Sequence, residues 1–111
     1  AELSADIIVS GMALHHIAET EKLLAVFHEM LTPSGWLCVA DLDEEDGTFH
    51  AADFQGHYGF NQKKLSATLG KIGFSNIVSD TGFEITKETR DGVVKTFPVF
   101  VMSAQKKALR N

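Results

Sequence analysis

The chain is poor in the residues that would place it in several familiar classes. It has one cysteine in 111 residues, Cys38, so no disulfide framework can hold it. A thiol within an apolar run reads as buried and inert rather than nucleophilic, which suits a reducing, cytoplasmic setting. Only two prolines occur, Pro33 and Pro98, which excludes a Pro-rich linker or a collagen-like repeat. No apolar run approaches the ~20 residues of a membrane span, and no basic segment with an apolar core behind it marks export. Positive charge is also scarce: Lys and Arg number 10 against 15 Asp and Glu, for a net charge of -5. That balance offers no basic footprint for nucleic acid or an anionic membrane surface, and neither partner is expected.

What remains is an ordinary globular composition, 44% hydrophobic and 23% charged, in a length suited to one domain. The chain enters its first strand almost at once, which reads as a piece of something longer. The stretch from Asp6 to Asp41 organises the rest. Ile7-Ile8-Val9 is a continuous apolar run, the pattern of a strand covered on both faces. Leu23, Leu24, Phe27, Met30 and Leu31 then fall at helical spacing, with Thr20 as a cap and Glu19 and Glu21 near the positive end of the helix dipole. Thr32-Pro33-Ser34-Gly35 stops that helix, and Trp36 to Asp41 forms a second strand. Two strands joined by a helical crossover lie parallel, and their carboxyl ends share one rim, where open α/β sheets place ligands.

Beyond the rim the acidic run Asp41 to Asp46 reads as a solvated strand end. The next segment, about Gly47 to Phe60, lacks a period but concentrates Phe49, His50, Phe54, His57, Tyr58 and Phe60. Asn61 caps a second helix carrying Leu65, Leu69 and Ile72, with Gly73 as its stop and Phe74 as an anchor beyond it. Two final runs, Asn76 to Lys87 and Val93 to Ala104, flank an Asp91-Gly92 hairpin signal and should be antiparallel neighbours. Pro98 removes one ladder donor, so a bulge or unpaired position is expected there. The tail from Gln105 to Asn111 is polar, basic and expected to fray.

The ordered set Ala5-Asp6-Ile7-Ile8-Val9-Ser10, Ala13-Leu14-His15-His16-Ile17 and Leu31-Thr32-Pro33-Ser34-Gly35-Trp36-Leu37 closely resembles the second half of class I S-adenosylmethionine-dependent methyltransferases. The small-molecule branch related to the ubiquinone-biosynthesis enzymes is the nearest match. Ser34 stands where the family motif has a glycine. Gly73-Phe74 and the run Pro98 to Lys106 extend the resemblance over nearly the whole chain. It implies a Rossmann-like half-sheet in the family order 4-5-7-6, with the last strand antiparallel and two main helices. The family's glycine-rich cofactor loop, ribose-binding acid and adenine contact belong to segments this chain does not contain. The cut falls at the topological switch point, so the Ile7 to Val9 strand would be an edge that pairs with a second copy, as a dimer, or with a missing amino-terminal half.

The resemblance places Ser10, Gly11, Met12 and Ala13 against the methionine part of S-adenosylmethionine, although Gly11 could equally do no more than shape a tight turn. His15 and His16 lie on the rim, where an imidazole can act as a general base, or merely bond to backbone. Phe54, His57 and Tyr58 could cover a substrate as an aromatic lid, or bury themselves as a satellite core. No metal site is expected. The spacing of His15, His16, His50, His57, Asp41 and Asp43 matches no ligand pattern, and adjacent turn histidines do not readily converge. The leading expectation is therefore a methyltransferase acting on a small molecule, represented by a fragment inactive alone. The alternatives are a stand-alone interaction or regulatory module and, more distantly, a metal-dependent hydrolase.

Overall fold

A computed structural model describes residues 3–50, 54, 56–89 and 91–108. Its elements are strand β1 (Ala5–Gly11), a short 3-10 turn (Leu14–His16), helix α1 (Thr20–Met30), strand β2 (Leu31–Leu42), helix α2 (Gln62–Ile72), and strands β3 (Phe74–Glu88) and β4 (Val94–Lys106). They form one four-stranded sheet in the order β1-β2-β4-β3. The β1–β2 pair is parallel, as a helical crossover requires, while β4 is inserted antiparallel between β2 and β3. This is the half-sheet that the resemblance implies.

Each helix has 11 residues, a length that is marginal for an isolated helix in water, so packing decides whether it forms. Leu24 of α1 and Leu65 and Leu69 of α2 enter one cluster with Leu37 and Val39 of β2 and Phe100, Met102 and Ala104 of β4. Full burial of each large side chain contributes roughly 1.5–3 kcal/mol, stabilisation that a short helix alone in water lacks. The ends follow local chemistry. The Asn61 side chain accepts from the Lys64 N–H at 3.0 Å, and α2 stops at Gly73 with φ 129. A Cβ on Gly73 would also stand 2.9 Å from Nε2 of His28 on α1. The cap foreseen at Thr20 differs: Thr20 is the first residue of α1, and its hydroxyl turns back to the Ile17 carbonyl at 3.1 Å.

Both helices lie on the same face of the sheet, and this corrects the reading of β1. The continuous run Ile7-Ile8-Val9 predicts cover on both faces, yet only Ile8 packs against the core, and Ile7 and Val9 are 62% and 73% exposed. Alternation puts them on the opposite face with Trp36, Cys38 and Val101, a bare apolar surface on which Cys38 is only half-buried. Nearer the rim this face is covered, because Leu42, Phe97 and Val99 form a second small core with Met12 and Phe49.

The stop at Thr32–Gly35 proves to be a bulge inside β2 rather than a turn before it. Pairing jumps from Ala5↔Leu31 to Ile7↔Trp36, and Thr32 bonds to the Asp6 carboxylate at 2.7 Å across the gap. Ser34 sits there at φ 68, the left-handed region in which a glycine carries no steric penalty. At the hairpin, Gly92 takes φ 77 and Thr89 N–H bonds to the Val93 carbonyl at 2.8 Å, while Arg90 lies outside the described residues. Pro98 pairs in register with Glu84, and the bulge falls nearby at Thr81/Phe83. On its other side Pro98 accepts from Asp43 N–H at 3.0 Å but has no N–H to return, and the β2–β4 ladder ends at Leu42↔Val99. Of the tail, Gln105 and Lys106 belong to β4, and residues 109–111 lie outside the described residues.

Ser34→Gly relieves the left-handed backbone and should raise stability by up to about 1 kcal/mol in urea unfolding. Burial and then the Lys106 charge hold the His28 pKa below its ordinary value, partly offset by the Gly73 backbone and Glu29. The unfolded chain therefore binds more protons in this window. The stability His28 contributes is complete above its unfolded pKa of about 6.5 and declines as pH falls below it. Melting temperature should drop between about pH 7.5 and about pH 5.5, and His28→Gln should lessen that drop.

Candidate functional site

The rim is built where β1 and β2 end side by side. After Gly11 the chain turns through Met12, at φ 55, and Met12 N–H continues the parallel ladder to the Ala40 carbonyl at 2.8 Å. The left-handed residue is thus Met12, while Gly11 ends the strand with open space where a Cβ would stand. The 3-10 turn Leu14–His16 follows and buries Leu14 and His15.

His15 is 1% exposed, and its partner is Asp41, at 0%. One carboxylate oxygen of Asp41 accepts the His15 backbone N–H at 3.1 Å, and the other meets His15 Nδ1 at 2.5 Å and the Leu42 N–H at 2.8 Å. The acidic run is therefore not simply a solvated strand end. Its first member is the most buried carboxylate among the described residues, and Glu45 and Asp46 accept backbone N–H groups of Gly47 and Thr48 to shape the following loop. The signal for Asp41 was present in the alternation: Leu37, Val39 and Asp41 share the core-facing side of β2. With Nδ1–H donated to Asp41, Nε2 is the ring nitrogen that faces away from the carboxylate. That Nε2 is buried and makes no hydrogen bond among the described residues.

The loop after β2 closes over this pair. His57 N–H donates to the His15 carbonyl at 2.7 Å, an approach that leaves no room for a side chain at Gly56, whose Cβ would fall 2.3 Å from that oxygen. Phe60 N–H bonds to the Leu42 carbonyl at 2.9 Å, and Lys87 holds Phe49 through its carbonyl, at 2.5 Å, and its ring, 4.2 Å from the centroid. Lys95 bonds to Asp46 at 2.7 Å. Among the described residues the loop is tied to β2, β3 and β4.

This closure gathers side chains that lie far apart in sequence. The His50 ring stacks on Phe54, with centroids 3.9 Å apart, and lies 4.9 Å from His15 and 5.2 Å from His16. The His15 and His16 rings are 4.2 Å apart. One ring nitrogen each from His15, His16 and His50 fall within 4.8 Å of one another. The premise that adjacent turn histidines do not converge is corrected, because the tight 3-10 turn tilts both rings toward His50. Burial, then the neighbouring His15 and His16, hold the His50 pKa below its ordinary value.

The three residues expected to cover a substrate separate. Phe54 joins the histidine cluster, and Tyr58, 47% exposed, stacks loosely beside it at 6.4 Å. His57 turns away. Its Nε2 lies 3.1 Å from the Thr20 hydroxyl, whose own proton goes to Ile17, so His57 donates and is held at the start of α1. There it lines a cavity of about 200 Å³ with Phe60, Asn61, Lys64 and Leu65. A second cleft, of about 500 Å³, lies beside it at Asp43, Glu44 and Gln62, and neither is lined by the histidine cluster.

A family model described as a methyltransferase domain matches residues 1–39. No curated protein sequence matches the chain. Among solved structures, phosphoethanolamine N-methyltransferase 2 of Haemonchus contortus, in complex with S-adenosyl-L-methionine, aligns at 16% identity with a TM-score of 0.65, covering 92% of this chain and 33% of that one. A protein of Bacillus halodurans assigned as a methyltransferase aligns at 15% identity and TM-score 0.71, covering 95% and 65%. An S-adenosylmethionine-dependent methyltransferase of Thermotoga maritima aligns at 15% identity and TM-score 0.67, covering 96% and 60%. The chain thus spans about a third of the length of the first and under two thirds of the others. Its fold is that of a fragment of a class I S-adenosylmethionine-dependent methyltransferase.

Asp41→Ala should cost about 2–4 kcal/mol in chemical denaturation, since it strands two backbone N–H groups and the His15 Nδ1–H inside the protein. Asp41→Asn, which keeps acceptor capacity on one atom, should cost less.

Proposed function

We propose that this chain is the acceptor-facing half of a small-molecule methyltransferase that uses S-adenosylmethionine and works with a further polypeptide segment completing the cofactor crevice. The observation that carries this reading is a coincidence. The segment matching the methyltransferase family, residues 1–39, contains the turn that presents His15, and Asp41, which orients His15, stands just beyond it. When bound, S-adenosylmethionine supplies an electrophilic methyl group on a sulfonium sulfur. Backbone groups of Ser10, Gly11, Met12 and Ala13 would meet its methionine end, and the open space beside Gly11 fits a close approach. Catalysis then rests on holding the acceptor in line with that methyl.

His15 is the base in this reading: Asp41 fixes its tautomer, and Nε2, buried against the His16, His50 and Phe54 rings, takes the acceptor's proton when the acceptor displaces those rings. His16 is exposed and stands edge-on to Phe54 on the solvent side, so it suits acceptor orientation better. Phe54 and Tyr58 provide an apolar wall for a small acceptor, whereas His57 is removed from substrate contact by its bond to Thr20. The Haemonchus contortus enzyme, also solved with phosphomonomethylethanolamine, is an example of a small acceptor on this fold. The free edge of β1 and the exposed Ile7 and Val9 suit the missing half of the sheet.

That same bare face, with Trp36 and Val101, supports a second reading as an interaction module that pairs with another copy and binds no cofactor. Amide chemical shifts recorded during a titration with S-adenosylmethionine distinguish the two. The methyltransferase reading predicts shifts concentrated at Ser10, Gly11, Met12 and Ala13, lost in Gly11→Val, even where affinity is only millimolar. Silence at those four amides at millimolar ligand, together with a stable dimer by light scattering, contradicts it and supports the module.

A further inference from the structure

We propose that His15, His16 and His50 form a binding site for a divalent transition metal, with Zn²⁺ as its representative occupant. Three observations carry the proposal. One ring nitrogen from each of the three residues lies within 4.8 Å of the other two although they come from two different segments. Zinc–nitrogen bonds of about 2.0 Å in tetrahedral geometry place ligand nitrogens about 3.3 Å apart, so closure needs only small ring rotations. His16, exposed on the rim, supplies them, while His15 stays fixed.

Second, His15 is oriented as metal-binding histidines commonly are. Its Nδ1 is held by a buried carboxylate at 2.5 Å, which sets the tautomer and aims Nε2 away from Asp41. Third, that Nε2 is fully buried without a hydrogen-bonding partner among the described residues, in a residue 1% exposed. A buried polar atom with no partner calls for an explanation, and a metal ion facing two further imidazoles supplies one. Three nitrogen donors suit zinc, copper, nickel or iron rather than magnesium or calcium. The exposure of His16 leaves the fourth position to water or a small ligand, the pattern of an open rather than a purely structural site.

The proposal does not rest on methyl transfer. The Nε2 it occupies is the one assigned above as base, so metal and proton acceptance exclude each other at His15, and metal loading would suppress a reaction that needs this base. The test uses untagged, chelator-treated protein titrated with Co²⁺ and followed by visible absorption, with Zn²⁺ as competitor. The expected result is one equivalent of Co²⁺ with the intense bands of a four-coordinate site, displaced by Zn²⁺. His16→Ala and His50→Ala should each weaken binding at least tenfold, and Asp41→Asn by roughly 10- to 100-fold. His57→Ala should leave it unchanged. Because His16 is exposed, His16→Ala reports on binding without disturbing the core. Absence of saturable one-to-one binding, or equal affinity in wild type, His16→Ala and His50→Ala, would overturn the proposal.

Discussion

The bond between Asp41 and His15 is the constraint on which the rim depends. It joins the carboxyl ends of two parallel strands through side chains that are both withdrawn from water. A carboxylate in that position is tolerable only because three N–H groups point at it, two from backbone and one from the imidazole. The arrangement fixes the 3-10 turn, gives the His57 backbone N–H a carbonyl to bond, and so sets where the loop returns across the sheet. Fold and site are one structure here. The crossover through α1 brings β1 and β2 together, and their common end holds the histidine.

The same geometry explains why one face of the molecule is chemically rich and the other bare. Both helices and the main core lie on one side, and the loop covers only the rim end of the other. Ile7, Val9, Trp36 and Val101 are left open on a strand pattern whose apolar continuity suits burial on both faces. The methyltransferases that share the fold are longer than this chain.

Much of this architecture was legible in the residues. The change of period from Ile7-Ile8-Val9 to Leu23-Leu24-Phe27 marks strand then helix, and Asn61, Gly73 and Asp91-Gly92 place a cap, a stop and a hairpin by local chemistry alone. The bulge at Ser34 was hidden because a Pro-Ser-Gly turn signal and a strand bulge use the same residues. The site was half legible. His15 stood out as a rim residue, but Asp41 heads an acidic run that composition reads as solvated, and only its place in the β2 alternation hinted at burial. His50 comes from a loop without periodicity. Its meeting with His15 depends on long-range backbone bonds that no local pattern encodes.

Asp41 holds a proton on Nδ1 of His15 and leaves its buried Nε2 without a hydrogen-bonding partner among the described residues. Nitrogen-15 chemical shifts of the His15 ring, recorded near neutral pH on chelator-treated protein, test it directly. The expected pattern is a protonated Nδ1 and an unprotonated Nε2, lost in Asp41→Asn. A proton on Nε2 of His15 in the wild-type protein would contradict it.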